Sequence, residues 1–406
     1  MRILVCAWDF PYPPRGGGRA DIWRRIEGFV RLGHQVMLLN LFHPQGPRAP
    51  QPADLAAVDR VVQVRHSFAI QRSRGRTMRQ LARLTSVPWH VANRVPDLAE
   101  RREIDQSVRD FGPDLVWLDG PWFGELGTRL ATDLDVPLAY RSHNVEHLYL
   151  RGQAATAARR RDQVAWRLAA IGLERYQLEL MRWSAQTFDI SCDDLPYWQA
   201  RGVTNGRWLP PLPELALAEP SSDRVPLDVL FVGGLRTPNN VQGVRWLVER
   251  VLPLLRARRP GVEMGIAGSY PDPLLAAELA QAGVSTHFDV PDVTPLQFGA
   301  RVLVNPVAVG SGVQLKMLDM LMTDVPIVSR QQGMAGLPPA ARELVDVADT
   351  PEEFAAAVLR RLDEPGVDLV SRSRLRQQFT LDGLRDALAG LDAGRKGRSD
   401  RPRPRG

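Results

Sequence analysis

The chain has 406 residues, and its 44% hydrophobic and 24% charged residues are typical of a globular protein with more than one domain. The net charge of +6 does not indicate a nucleic-acid-binding protein, because the stretch 393–406 holds six basic residues and one acid and so contributes +5. No apolar run reaches the roughly 18 residues of a membrane-spanning helix, and the first residues do not resemble a signal peptide. We therefore expect a cytoplasmic protein with reduced cysteines and a disordered tail at 393–406.

Unbroken apolar runs mark the strands of the first half. Residues 2–8 predict a strand, a proline- and glycine-rich loop follows, and 22–33 predict a helix that ends at a glycine. Further strands are predicted at 34–42, 58–64, 114–120, 138–145 and 187–192, and a long helix at 153–183. Strands without alternating polarity are buried on both faces, so we expect a parallel sheet.

The second half repeats this alternation after a change in composition. A proline-rich stretch without periodicity covers 206–226 and is predicted to be a linker. The sequence therefore predicts two doubly wound α/β domains, 1–205 and 227–392, with the expected site in the cleft between them. Strands are predicted at 227–234, 262–268, 284–289, 300–306 and 325–330, and helices include 241–261, 272–283 and 312–324.

The loop after the penultimate predicted strand has features of a phosphate-binding site. Residues 306–321 read PVAVGSGVQLKMLDML, in which Gly310 and Gly312 precede the first turn of a helix. Glycine lets an anion approach the backbone, and the N–H groups of a helix start carry partial positive charge. Lys316 can reach the same anion, and Asp319 can accept a ribose hydroxyl. A glycine-rich turn with a surface pair of Lys316 and Asp319 explains the pattern equally well.

Two familiar nucleotide-binding motifs do not occur in this sequence. Leu315 occupies the third glycine position of a G-x-G-x-x-G motif that begins at Gly310, and Asp21 does so for a motif that begins at Gly16. There is no G-x-x-x-x-G-K-[ST] sequence either. A Rossmann dehydrogenase and a P-loop nucleotidase are therefore disfavoured.

The second half resembles the retaining glycosyltransferases of family 4, which have the GT-B fold. The resemblance rests on FVGGLRTPNNVQGVRWLVERVLPLL, VEMGIAG, VPDVTPLQFGARVLVNPVAVGSGVQLKMLDML and VPIVSRQQGMAGL, in the family's order and spacing. The first half is similar more loosely, through YPPRGGGRADIWRRIEGFVRLGHQV and YRSHNVEHLY. The resemblance implies two doubly wound Rossmann-like domains facing across a cleft, with a nucleotide-diphosphate sugar on the second domain and the acceptor on the first.

The same resemblance implies the reaction. We expect a hexosyltransferase-like enzyme of polysaccharide or glycoconjugate biosynthesis that retains the configuration of the transferred sugar. The acceptor is expected to be a glycan, a lipid-linked molecule or a small molecule, and not nucleic acid. Neither a cofactor nor a tightly bound metal is expected.

The family's donor residues map onto the 306–321 loop. Lys316 matches the diphosphate-binding position, and Asp319 stands at the second glutamate of a Glu-x7-Glu pair that holds the ribose. The first glutamate, which contacts the donor sugar, falls on Ser311. This departure implies that Ser311, or the backbone of Gly310 and Gly312, takes over that contact.

A second group of implied donor residues follows the first strand of the second domain. The family's arginine falls on Gly234, next to Gly233, so Arg236 is the expected replacement. Asn239 and Asn240 stand where a lysine is often found, and they are expected to donate hydrogen bonds to the donor.

The first domain contributes a glycine loop and a histidine. The family places the loop that contains Gly16, Gly17, Gly18 and Arg19 near the donor phosphates and the acceptor, and glycine next to arginine suits an anion. His143 matches the family's histidine near the reacting sugar and is the expected catalytic residue. His147, four positions on, completes no H-E-x-x-H zinc motif and is expected to be structural.

An arginine-rich stretch offers a membrane contact. Arg72, Arg76, Arg79 and Arg83 recur at helical spacing with no acid among them, which suits an anionic acceptor or the inner face of the membrane. A solvated basic surface is an equally good interpretation.

Two other functions stay open at this point. Nucleotide-sugar epimerases share the architecture, although they need more acids and histidines around the sugar than Ser311 suggests. A binding protein that has lost turnover is the second alternative, because Ser311 and Gly234 replace residues that contact the donor.

Overall fold

The computed structural model describes residues 1–14, 16–42, 44, 49–70, 83, 87–92, 94, 96–157, 159–214, 224–269, 271–310 and 312–394. These residues form two compact units. The first contains residues 1–14, 18–211 and 381–394, and the second contains residues 16–17 and 212–380. Each unit is built on its own parallel sheet with its own apolar core.

The sheet of the first unit has seven described strands in the order β3-β2-β1-β4-β5-β6-β7. Reversal of the strand order at β1 is the mark of a doubly wound sheet, as predicted. The strands are β1 (Arg2–Ala7), β2 (Gln35–Phe42), β3 (Val64–Ala69), β4 (Leu115–Asp119), β5 (Leu138–Ser142), β6 (Gln186–Asp189) and β7 (Gly206–Trp208). The helices are α1 (Gly17–Arg31), α2 (Pro52–Asp59), α3 (Trp89–Ala92), α4 (Leu98–Phe111), α5 (Gly124–Asp133), α6 (Glu146–Thr156), α7 (Arg160–Ala169), α8 (Leu173–Trp183) and α9 (Asp194–Gln199), with a 3₁₀ turn at Pro121–Phe123.

Three sequence-based assignments in this unit need correction. The strand predicted at 58–64 is wrong, because Gln51 and Asp54 form a capping box that starts α2, and the strand begins only at Val64. The helix predicted at 153–183 is three helices, interrupted where Ala157 is extended and where Gly172 adopts a φ of 73°. Strand β7 lies inside the stretch predicted as a linker.

The sheet of the second unit has six strands among the described residues, in the order β10-β9-β8-β11-β12-β13. It is again doubly wound, with the reversal at β8. Its strands are β8 (Leu227–Val232), β9 (Met264–Gly268), β10 (Ser285–Phe288), β11 (Ala300–Asn305), β12 (Ile327–Ser329) and β13 (Asp346–Val347). Its helices are α10 (Pro238–Trp246), α11 (Leu252–Arg258), α12 (Pro273–Gln281), α13 (Thr294–Gly299), α14 (Leu315–Leu321), α15 (Pro339–Arg342), α16 (Pro351–Asp363) and α17 (Leu369–Arg376), with 3₁₀ turns at Gln331–Met334 and Gln377–Phe379.

Helices α10 and α11 follow one another through a π-helical turn at Leu247–Val251. The turn ends just before Pro253, which has no N–H to donate to the preceding turn of the helix. A single wide turn accommodates that missing hydrogen bond, so the helix predicted at 241–261 continues past the proline.

The last helix, α18 (Leu381–Gly394), groups with the first unit although sequence analysis placed it in 227–392. A Cβ atom added to Gly390 would lie 3.5 Å from Nη1 of Arg207, which belongs to β7. The boundaries of the domains stay a prediction. Within the described ranges, no helix combines the length and the apolar character needed to cross a membrane.

Candidate functional site

In the second unit, Lys316 is a cation with neutral neighbours. It lies in the first turn of α14, and its Nζ donates to Oδ1 of Asn240 over 2.7 Å. The same Nζ lies 4.6 Å from the centroid of the Phe231 ring. Burial lowers the pKa of Lys316 to about 7. No carboxylate of the described residues forms an ion pair with it.

The neighbours of Lys316 come from the end of β8 and the start of α10. Nδ2 of Asn240 donates to the carbonyl oxygen of Gly234 over 2.9 Å, which turns its Oδ1 towards the lysine. A Cβ atom added to Gly233 would lie 2.8 Å from the Phe231 ring and 3.1 Å from Nδ2 of Asn240. Glycine at position 233 is therefore required by the packing around the lysine's partners.

Helix α14 is shorter than the predicted 312–324, with seven residues at Leu315–Leu321. A helix this short has few aligned peptide dipoles, so Lys316 supplies more of the positive potential than the helix start does. Asp319, on the same helix, is buried, and its Oδ1 accepts from the backbone N–H of Glu214 over 2.8 Å. The structure thus pairs Lys316 with Asn240 rather than with the expected Asp319, and neither residue is a surface group.

The glycine loop before α14 is partly described. Gly312 has a φ of 69°, a conformation that glycine adopts without strain. Gly310 is exposed, and a Cβ atom added to it would lie 3.8 Å from Nδ2 of Asn239. The loop and the start of α10 therefore approach each other where the sequence predicted a donor site. Ser311 lies outside the described residues.

Arg236 lines a cavity of about 840 Å³ in the second unit. The cavity lies among the loops that follow β8, β9, β11 and β12, to which Arg236, Pro271, Ala308 and Arg330 belong. Ligands of doubly wound sheets bind at this edge, and the volume is that of a small-molecule site. The guanidinium of Arg330 lies 4.6 Å from the centroid of the Trp246 ring, which forms another wall.

In the first unit, His143 lies between two carboxylates. It follows β5, and its Nε2 is 3.1 Å from Oδ1 of Asp119, the last residue of the neighbouring β4. Its Nδ1 is 3.6 Å from Oδ2 of Asp21 on α1. All three side chains are buried. The hydrogen bond to Asp119 orients the ring, and the Asp21 carboxylate lies close to its other nitrogen.

Arg141 fixes the second of these carboxylates. Its Nε and Nη2 donate to the two oxygens of Asp21 over 2.8 and 2.9 Å, and its Nη1 donates to the carbonyl oxygen of Leu209 over 3.0 Å. Burial by itself raises the pKa of Asp21, but the charge and hydrogen bonds of Arg141 outweigh it and hold that pKa well below the usual range. Asp21 is therefore a permanent anion beside His143.

Asp21, Asp119 and His143 together could hold a metal ion, since one ligand atom from each lies within 4.8 Å of the others. Both oxygens of Asp21 already accept from Arg141, so a cation would have to displace a bidentate guanidinium. The expectation of no tightly bound metal stays a prediction. His147 lies apart from this group, with its Nε2 3.0 Å from the hydroxyl of Tyr197.

The glycine loop of the first half leads into α1 and forms its first turn. Gly16 has a φ of 94°, and Gly17 is the first residue of the helix. A Cβ atom added to Gly18 would lie 3.0 Å from the Trp8 ring. Arg19, which was expected to attract anions, is buried and donates to Oδ2 of Asp9 over 2.8 Å, so a carboxylate already balances its charge.

The arginine-rich stretch is described at one position. Arg83 donates to Oε1 of Glu125, and Arg72, Arg76 and Arg79 lie outside the described residues. A membrane contact through these arginines stays a prediction.

Sequence analysis missed Asp119, Asp21 and Arg141 as members of the site. The available signal was a charged residue inside or at the end of a buried strand, as in LVWLD and LAYRS. Such charges are costly unless they are paired, so each of them implies a partner. The partner of Arg141 lies 120 positions away, which a local pattern does not reveal.

Two sequence comparisons show which known proteins this chain is similar to. Residues 226–364 match the family model described as Glycosyl transferases group 1. A 44.6 kDa protein in the cps region of Klebsiella pneumoniae, described as uncharacterized, is 24% identical over 374 residues, which cover 88% of this chain and 90% of that protein. The predicted class of transferase enzyme is confirmed by the family match, which makes 226–364 a glycosyltransferase domain.

Solved structures match nearly the whole chain. HepE of Anabaena in complex with UDP has a TM-score of 0.63 at 12% identity, covering 97% of this chain and 100% of that one. Sucrose-phosphate synthase from Thermosynechococcus elongatus has a TM-score of 0.65 at 14% identity, covering 97% and 98%. The chain therefore has the predicted GT-B fold of two Rossmann-like domains.

Proposed function

We propose that this chain is a retaining glycosyltransferase of family 4, which moves a sugar from a nucleotide-diphosphate sugar to an acceptor. The second unit binds the donor and the first unit binds the acceptor. The observation that carries the proposal is Lys316, a half-buried amine at the carboxyl edge of a parallel sheet whose hydrogen-bond partner is the neutral amide of Asn240. The presence of UDP in the HepE structure supports a nucleoside diphosphate as the missing anion.

The leaving diphosphate explains why a lysine with a lowered pKa is useful there. As the bond between the anomeric carbon and the diphosphate oxygen breaks, negative charge grows on the diphosphate. An approaching phosphate favours the protonated amine, and the resulting ammonium stabilises that charge. Asn240 and Phe231 position the amine without neutralising it. Asp319, Ser311, Gly310, Gly312, Arg236, Asn239 and Gly233 complete the proposed donor site, with Asp319 on the ribose.

On the first unit, we assign His143 to the reacting sugar. The hydrogen bond to Asp119 orients the imidazole before a substrate arrives, and the Asp21 carboxylate lies 3.6 Å from its other nitrogen. An oriented imidazole can donate a hydrogen bond to a sugar hydroxyl or move a proton during transfer. The acceptor is a glycan, a lipid-linked molecule or a small molecule.

The donor site is tested by replacing Lys316 with alanine. The variant should bind UDP or GDP about ten- to a hundredfold more weakly and uridine or guanosine as wild type does, because a charged hydrogen bond to phosphate contributes about 1.5–3 kcal/mol. Calorimetric titration measures both, after a thermal-shift screen of UDP, GDP, ADP and dTDP has selected the nucleotide. Arg374→Ala, which removes an exposed charge from the same unit, is the matched control. Equal losses for nucleotide and nucleoside would refute the assignment.

Transfer itself is tested by incubating the enzyme with the selected nucleotide sugar, with and without an acceptor panel. A glycosylated acceptor of retained configuration supports the proposal. A new nucleotide sugar formed without acceptor would identify an epimerase instead. Tight nucleotide binding with no transfer to any acceptor would identify a binding protein.

A further inference from the structure

The first unit contains a smaller cavity that the proposed reaction does not yet use. Its volume is about 260 Å³, below the range of about 300–1,000 Å³ that is usual for complete small-molecule ligands. It suits one chemical group of a substrate rather than a whole nucleotide sugar. Its walls combine apolar side chains with three arginines and one glutamate: Val91, Arg94, Pro96, Arg101, Trp122, Phe123, Glu125, Leu126 and Arg129.

Half of the charges in this cavity are balanced by neighbours. Oε1 of Glu125 accepts from Arg83, and its buried Oε2 has no hydrogen-bond partner within the described ranges. Arg129 donates to Asp105 and also bonds to Asp133 over 3.1 Å. These two wall residues therefore contribute little net charge.

Arg94 and Arg101 differ from them, since neither forms an ion pair with any residue that the structure describes. Nη1 of Arg94 donates to the carbonyl oxygen of His90 over 2.9 Å, and its guanidinium lies 5.5 Å from the centroid of the Trp122 ring. The Nε atoms of Arg94 and Arg101 are buried and have no hydrogen-bond partner within the described ranges. Buried donors without partners are costly, so their presence calls for an explanation.

Nearby acids do not remove this positive charge. Asp9 and Glu146 are the carboxylates that act on Arg94 from a distance. Asp9 is already bound by Arg19. Burial raises the pKa of Glu146 to about 7, so this group is protonated for much of the time near neutral pH. Arg94 and Arg101 are therefore two guanidinium groups of the cavity wall that form no ion pair within the described ranges.

The cavity adjoins the His143 site. Trp122 is two residues after Gly120, which directly follows Asp119, the hydrogen-bond partner of His143. A Cβ atom added to Gly120 would lie 3.5 Å from the Trp122 ring, so the backbone at the end of β4 touches the cavity wall. The cavity wall is thus in contact with the strand end that positions the partner of His143.

We propose that this cavity binds a phosphate group carried by the acceptor substrate. A phosphate monoester has a charge of about −1.5 to −2 near neutral pH, which suits two guanidinium groups that form no ion pair, and arginine binds phosphate oxygens in pairs. The apolar wall of Val91, Phe123 and Leu126 receives the carbon atoms next to the phosphate. The proposal rests on the proposed function in assigning the acceptor to the first unit. It narrows the acceptor to a phosphorylated molecule, either soluble or part of a lipid headgroup.

The structure offers a matched pair of variants for the test. Arg101 and Arg102 are neighbours on α4, whose start is fixed by the side chain of Asp97, and Arg101 lines the cavity whereas Arg102 is exposed. Arg101→Gln removes a charge from the cavity, and Arg102→Gln removes the same charge from the surface. Arg101 is half-buried and Arg102 is exposed, so thermal unfolding is used to check that both variants fold as wild type does.

The probes are glycerol phosphate, glycerol and vesicles of phosphatidylcholine with or without phosphatidic acid. Binding is measured with the donor site saturated by UDP, so that phosphate cannot occupy it. We expect wild type and Arg102→Gln to bind a phosphate probe, and Arg101→Gln to bind it at least tenfold more weakly. Glycerol should not bind. Binding of glycerol phosphate identifies a soluble acceptor phosphate, and binding of phosphatidic acid vesicles alone identifies a lipid headgroup.

Two outcomes would overturn the proposal. One is that no phosphate probe binds wild type in either form. The other is that Arg101→Gln and Arg102→Gln bind the phosphate probe equally well. Arg94→Gln tests the second arginine of the cavity in the same way, and it should also bind the probe more weakly than Arg102→Gln. The UDP titration tests the proposed function separately. If UDP binds and the phosphate probes do not, the assignment of the cavity is refuted and the proposed donor site is not.

Discussion

The candidate sites of the two units differ in the partners of one charged side chain each, Asp21 in the first unit and Lys316 in the second. In the first unit, the Asp21 carboxylate beside His143 forms an ion pair with Arg141 over 2.8 Å. In the second unit, Lys316 has a neutral amide and an aromatic ring as its neighbours. Paired charges fix a geometry before any substrate arrives. An unpaired charge gives a site that reaches its lowest free energy only with an anion bound.

This difference predicts which property of each unit a substitution should change. Loss of one member of a buried ion pair leaves the other without compensation, so the first unit should respond in its stability. Loss of Lys316 removes a charge that the fold does not need, so the second unit should respond in its affinity. The following experiments compare the effects of substitutions in the two units on stability, turnover and ligand affinity.

The largest effect is expected from Arg141→Met. Asp21 would then be a buried anion without its main partner, and we expect the free energy of unfolding to fall by about 3–5 kcal/mol. Urea denaturation measures the loss. Arg175→Met is the control, because the pair of Arg175 and Glu179 is exposed and its loss should leave the urea midpoint nearly unchanged. A small loss in both variants would mean that Asp21 finds a new partner in Arg25, now 3.9 Å away.

A slightly smaller effect is expected from His143→Ala, and it should appear in turnover. Loss of a positioned acid or base typically lowers the rate by about 100-fold or more. The affinity for UDP should stay unchanged, because the diphosphate is assigned to the other unit. Steady-state rates and titration separate the two quantities.

His147→Gln provides the contrast to that experiment. It removes the contact with Tyr197, so the melting temperature should fall while the rate per folded molecule is kept. If both histidine variants lose turnover equally, the special role of His143 is refuted.

The smallest effect is a pH dependence of the second unit. The pKa of Lys316 is about 7 in the folded chain against 10.5 for an ordinary lysine. UDP affinity should fall by about tenfold between pH 7 and pH 9 as the amine loses its proton, because phosphate with a second pKa near 6 stays ionised.

The stability of the ligand-free protein should change in the opposite direction. Between pH 7 and 10.5 the unfolded chain binds the proton and the folded chain does not, so the contribution of Lys316 to the free energy of unfolding rises with pH. Lys316→Met should flatten both profiles by removing this contribution. Matching profiles in wild type and variant would show that Lys316 does not titrate near neutral pH.

Sequence patterns predicted the parallel strands and the edge at which the sites lie, because apolar runs and glycine loops are local features. They did not predict which side chains form hydrogen bonds or ion pairs with one another. Asn240 lies 76 positions before Lys316, whereas the pattern suggested Asp319, three positions after it. The pair of Asp21 and Arg141 spans 120 positions. Pairing of this kind is decided by which strands and helices become neighbours, and that is a property of the whole fold.

The unusual amine of Lys316 also makes it a chemical reporter. Of the 52 basic residues in the chain only two are lysines, Lys316 and Lys396, and the rest are arginines, which do not react with acylating reagents under mild conditions. A lysine whose pKa is about 7 is half deprotonated at neutral pH and is therefore nucleophilic where an ordinary lysine is not. Mild acylation followed by peptide mapping should modify Lys316 in the empty protein, and a bound nucleoside diphosphate should protect it. The occupancy of the proposed donor site can thus be measured without knowing the acceptor.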